Sequence, residues 1–192
     1  MRTFLTIPTP AKPACLYRVT DSTSYTLPNN DSGDFDTGTH IGASWEDIIS
    51  ARALDGQLEP SKTGDATYPL FISTTTSETW ASSEHRRRLF KKRRQDVRTY
   101  RIDLSRFEWE YVELAKGVRF PVLRSPGWEC ALFSTDSATQ GLNWWNHKRD
   151  SLEWFAVVSI PHKYIDLIEA DGMVMSVGSG KSDTSNAISW AS

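Results

Sequence analysis

Six short runs rich in β-branched and aromatic residues set the class of fold open to this chain: "ACLYRVT" (14–20), "YPLFIST" (68–74), "VRTYRIDL" (97–104), "WEYVELA" (109–115), "ECALFS" (129–134) and "LEWFAVVSI" (152–160). Runs of this length and composition, bounded by polar stretches rich in Pro, Gly, Asn and Asp such as 25–42 and 55–67, read as β-strands. Two segments read as helices instead. "SWEDIISARAL" (44–54) offers Ser44 as N-cap with Asp47 three positions on, and Glu78 to about Arg94 follows Ser77 or a neighbour as cap. The class expected is therefore α+β: a strand-dominated core with a few helices in the N-terminal half.

At 192 residues the chain has the length of one domain, and eight Trp and eight Phe supply large apolar area to its core. We expect an extended Pro-rich arm over 1–13, a single domain over 14–175, and a mobile Gly- and Ser-rich tail over 176–192. The tail contains "GSGKS" (178–182), which is not a phosphate loop, because Met175 stands where that motif needs its first Gly.

The net charge of −2 conceals an asymmetry: ten of the 22 Lys and Arg fall between Arg86 and Arg106. "EHRRRLFKKRRQ" (84–95) holds seven of them, Arg86, Arg87, Arg88, Lys91, Lys92, Arg93 and Arg94, with Leu89 and Phe90 as its only apolar anchors. Such a helix cannot be buried all round. It is a solvated face, or a patch for an anionic partner such as nucleic acid or a nuclear import factor. Cys15 and Cys130 have no metal-ligand spacing and no companion His. No run approaches the roughly 20 apolar residues of a membrane helix. The apolar start is too short for a signal peptide, so the default expectation is a cytoplasmic or nuclear protein without membrane contact, or a secreted one if a signal has been removed.

Three features stand out as chemistry. Arg18 sits inside the apolar run "LYRV", where a charge costs several kcal/mol without a partner. Ser73, Thr74, Thr75 and Thr76 end a buried strand with more hydroxyls than a helix cap requires. Glu153 leads the late apolar strand that stops at Pro161, on the face it shares with Phe155 and Val157.

Taken in this order, "LYRVTDSTS", "LFISTTTSETWAS" and "LEWFAVVSIPHKYI" resemble the ADP-ribosyltransferase superfamily, and more closely its pertussis-toxin-like branch and related uncharacterised fungal domains. The resemblance frames residues 16–165. It implies two packed, strongly curved antiparallel sheets with an NAD cleft between them, and NAD as the substrate. It also implies roles: Arg18 organises the cleft and reaches the dinucleotide phosphates, Ser73 holds the nicotinamide-side strand, Tyr17, Thr74 and Thr75 flank the nucleotide, and Glu153 binds the 2′-hydroxyl of the nicotinamide ribose. Breaking the bond to nicotinamide develops oxocarbenium character, which an aimed carboxylate stabilises, and an Arg fork suits a pyrophosphate.

Two departures bear on specificity. Arginine-modifying members carry Glu-x-Glu, and Ser151 stands at the first of those positions, so arginine as acceptor is not supported. "FEWEY" has Glu108 and Glu110 at that spacing, which makes Glu110 a rival of Glu153, although only Glu153 is followed by the Ile-Pro ending. The acceptor expected is a protein, a nucleic acid or water. The alternatives are a catalytically inactive module that binds nucleic acid or a protein through 84–95, and a secreted effector or toxin domain in which Cys15 and Cys130 bridge.

Overall fold

A computed structural model describes residues 4–37, 44–58, 71–114, 117–142, 144 and 150–171. The tail from Ser176, with "GSGKS", and the side chain of Asp47 lie outside the described residues.

The described chain is α+β, with mixed sheets and a few short helices. In chain order the elements are β1 (Leu5–Thr6), β2 (Cys15–Thr20), β3 (Phe35–Asp36), α1 (Trp45–Ile48), α2 (Ala51–Leu58), β4 (Phe71–Thr75), α3 (Glu78–Arg86), β5 (Arg98–Asp103) and β6 (Glu108–Leu114). They continue with β7 (Val118–Arg124), β8 (Ala131–Ser134), α4 (Thr135–Leu142), β9 (Glu153–Val157), β10 (Ser159–Ile160) and β11 (Ile165–Ala170).

Instead of two separate antiparallel sheets, the described strands form one nine-stranded sheet, in the order β1-β7-β8-β9-β4-β2-β5-β11 with β6 on β7, and a small β10–β3 ribbon. The β1–β7 pair is parallel. One core explains how a single sheet does the work of two: Leu123 and Leu132 from one wing meet Leu16 and Ile102 from the other, so the sheet curls over a shared interior. The opposite face of the central strands, Phe71, Phe133, Phe155 and Val157, packs under Ile49 between α1 and α2, Leu54 of α2 and Ala138 of α4. Central strands buried on both faces read as continuous apolar runs, which is why they were conspicuous in the sequence.

The arm is part of the domain. Leu5–Thr6 adds to the sheet, Ile7 is buried, and Lys12 donates to the Phe107 carbonyl at 2.5 Å. Helices are not confined to the N-terminal half, because α4 follows β8 directly. The expected first helix is two short ones, α1 and α2, and the expected late strand breaks at Val158, whose φ of 71° turns β9 into β10. Val158 is held there by its carbonyl, which accepts from the Thr37 amide at 2.8 Å and hydroxyl at 2.9 Å.

Candidate active site

Strand register brings Ser73 and Glu153 together. In the β4–β9 ladder Ser73 lies opposite Phe155 and Thr75 opposite Glu153, so Ser73 and Glu153 are diagonal neighbours on one face. The Ser73 hydroxyl donates to the Glu153 carboxylate.

Arg18 reaches the same place through a gap. β2 and β4 share one registered pair, Tyr17 with Thr75. Beside it the Arg18 guanidinium takes over from the ladder: Nη1 donates to the Ser73 carbonyl at 2.8 Å and Nη2 to the Thr26 carbonyl at 2.9 Å. The ring of Phe35 lies 5.3 Å from the guanidinium carbon. Burial lowers the Arg18 pKa to about 10, helped by the neighbouring Arg88 charge and opposed by Tyr100, so the group stays cationic at neutral pH. Its Nε is buried without a hydrogen-bond partner, a desolvation cost of holding the group inside the fold.

These residues line a cavity of about 430 Å³, within the roughly 300–1,000 Å³ of small-molecule sites. Tyr17, Arg18, Ser73, Thr74, Thr75 and Glu153 all contribute to its wall. Three of them also have structural duties. The Thr74 hydroxyl donates to the Trp154 carbonyl at 3.0 Å, the Thr75 hydroxyl accepts from the Ser77 amide at 3.1 Å, and the Tyr17 hydroxyl donates to Glu78 at 3.2 Å. Ser77 caps α3 by accepting from the Trp80 amide at 3.1 Å, so helix initiation rests on Thr75 and Ser77.

The cavity wall carries charge of both signs, Arg18 and Arg88 together with Glu153 and Asp150. Burial pushes the Glu153 carboxyl up to about 7; the Ser73 hydrogen bond opposes the shift and the Asp150 charge adds to it.

Four residues that sequence reasoning passed over complete the site. Gln57 on α2 donates to the Ser73 hydroxyl at 3.4 Å and accepts from the Phe71 amide at 3.4 Å. Asp150 lines the cavity because the chain turns there: its carbonyl accepts from the Glu153 amide at 3.0 Å, and Thr135 on α4 pins the turn by donating to that same carbonyl at 2.6 Å. A straight strand extended back from Glu153 would carry Asp150 away from the cavity. Arg88 is the fourth, and its only sequence signal was membership of a charge run. Glu110, the rival carboxylate, lies on β6 opposite Val122, 3.5 Å from Arg124 and away from the lining.

The basic segment differs from the solvated helix expected. α3 gives way after Arg86 to a wider π-turn over Arg87–Lys91, closed by the Lys92 amide on the Arg87 carbonyl at 3.0 Å. Arg87 and Arg88 are not free for an anion patch in the way Lys91 and Lys92 are: both bond the buried Glu84, and Arg88 also meets Asp21 at 3.1 Å. Phe90 anchors nothing, being 72% exposed, while Leu89 packs on the small core of Tyr17, Val19, Ala81 and Val97. Cys15 and Cys130 are free thiols, and burial raises the pKa of Cys130.

Comparison with known protein families, with curated proteins and with solved structures finds no match for this chain. Among the described residues no helix is long and apolar enough to cross a membrane, and no group of three or more side chains has a metal-binding arrangement.

Proposed function

We propose that the chain splits NAD at the nicotinamide–ribose bond and passes ADP-ribose to a macromolecular acceptor or to water, on an ADP-ribosyltransferase-like fold. The observation that carries the reading is the meeting of Ser73, Arg18 and Glu153, from three strands distant in sequence, on one cavity.

A wall with both signs of charge suits a dinucleotide. Arg18 and Arg88 line the cavity as fixed cations from which a pyrophosphate would gain. Glu153, held by Ser73, takes the ribose end. As the C1′–N bond breaks, its electron pair leaves with nicotinamide and positive charge builds on the sugar, which the Glu153 carboxylate stabilises without moving. The acceptor lone pair then bonds to C1′ and its proton passes to solvent. Gln57 and Thr135 act as positioning residues, the first through Ser73 and the second through the 150–153 turn.

The test is release of nicotinamide from labelled NAD. Wild type should release it, and Glu153→Gln should lower the rate at least about a hundredfold, in line with the loss of a preorganised electrostatic group. Absence of NAD binding by wild type would sink the reading in favour of the inactive binding module.

A further inference from the structure

We infer that the acceptor is single-stranded nucleic acid, held on the face that runs from the cavity mouth along the basic segment; the acceptor role rests on the NAD reading above. Within the basic run Phe90 is the one aromatic residue. The fold brings two more rings from other segments. Tyr25, 92% exposed, and Trp80, 47% exposed, both stand on the cavity wall, and Phe90 projects from the π-turn at 72% exposed.

The segments that carry these rings and cations are joined to one another. Arg88 lines the cavity and is bonded to Asp21, whose loop carries Ser24, Tyr25 and Thr26 to the mouth. The Arg94 amide bonds the Arg88 carbonyl at 3.0 Å, and the Ser22 amide bonds the Gln95 carbonyl at 3.0 Å, so the basic segment is stitched to the rim loop. From Trp80 to Lys91 the helical rise covers roughly 15 Å, enough for a few nucleotides. Among the described residues, Arg86, Lys91, Lys92 and Arg93 make no ion pair, and Arg93 has the left-handed φ of 49° that non-glycine residues rarely adopt.

Cations alone would suit any polyanion. Flat exposed rings on the same segments distinguish a nucleic acid, because bases stack on aromatic faces while phosphates follow the charges. An acidic peptide has no use for Tyr25 and Trp80. A base delivered over those rings meets the cavity, where a nitrogen or oxygen lone pair bonds to C1′ as nicotinamide leaves with the electrons of the broken bond and the acceptor proton goes to water.

The experiment has two independent arms on the full chain. First, a fluorescent single-stranded 20-mer of dT or U is titrated without NAD at several salt concentrations. Affinity should fall steeply with salt, by about 0.7 log unit per log unit of salt for each phosphate engaged. Replacing Lys91, Lys92 and Arg93 by Ser should weaken binding at least about tenfold and flatten that slope. Trp80→Ala should weaken it about fivefold or more with the slope unchanged. Because these residues are exposed, the variants should fold, which circular dichroism verifies. A salt-independent affinity, or equal competition by polyglutamate, would overturn the inference. Second, NAD labelled in its adenylate half is added: label should appear on the oligonucleotide. Nicotinamide release with no label on the oligonucleotide overturns the inference and leaves the NAD reading standing. Tight oligonucleotide binding by a protein that never splits NAD overturns the acceptor role and the NAD reading, while leaving the binding face.

Discussion

Glu84, bonded to Arg88, and Glu153, on the cavity that Arg88 also lines, are two carboxylates largely withdrawn from water, and the protein treats them in opposite ways. Burial raises both. At Glu84 the hydrogen bonds and charges of Arg87 and Arg88 overcome burial and hold the carboxyl below its ordinary value. At Glu153, among the described residues, one serine hydroxyl opposes burial, a second carboxylate stands nearby, and the group rises to about 7. Cations line the same cavity, yet they are tied to Asp21, Glu84 and backbone carbonyls. Glu84 is neutralised in place, whereas Glu153 has no cation bonded to it among the described residues, the condition that the proposed reaction asks of its carboxylate.

The contrast can be broken most forcefully at Glu84. Glu84→Ala should cost about 2–3 kcal/mol of stability, somewhat below the 3–5 of a fully buried pair because Arg87 is half exposed, and the urea midpoint reads it. An unchanged midpoint would mean that the network is ornamental. Glu153→Gln should do the reverse at neutral and higher pH, raising stability by about 1–3 kcal/mol. The sign follows from the raised pKa. Between the unfolded value and about 7 the unfolded chain gives up this proton while the folded one keeps it, so the wild type loses stability as pH climbs through that window. The mutant's advantage should therefore vanish below the ordinary glutamate range, which melting curves at acid and neutral pH compare. The smallest effect belongs to Ser73→Ala. In wild type kcat/KM for NAD should rise with pH through about 7 as Glu153 ionises. Without the serine bond the limb should move to higher pH and the neutral-pH rate should fall several-fold; a limb that stays put would remove Ser73 from the carboxylate.

Much of this was legible in the sequence because the central strands are short, apolar and bounded by turns. Strand β7 escaped notice: "VRFPVLR" has no alternation, being buried on both faces, and Pro121 argues against a central strand. The structure resolves the conflict locally. β1 pairs with β7 at Val118 and Arg119, and β8 only from Leu123, so at Pro121 the strand has β6 on one side and needs no donor on the other. The site was half legible. Arg18, Ser73 and Glu153 lie on strands whose period fixes where side chains point. Gln57, Asp150 and Arg88 arrive from a short helix, a turn and a π-turn, whose geometry depends on tertiary bonds that no local pattern encodes.

The single rung between β2 and β4 has a historical implication. Beside the one registered pair, a single Arg18 bond to the Ser73 carbonyl crosses from β2 to β4, and a second ties the loop at Thr26, so that arginine joins three segments. A descendant that lost all chemistry would still be under pressure to keep Arg18, since its removal leaves the Ser73 and Thr26 carbonyls without this donor. Glu153 lies under the opposite pressure, because an unpaired acid in a desolvated wall is a burden on the fold at every generation. Persistence of the arginine among descendants would thus testify to architecture alone, and persistence of the glutamate to a working reaction.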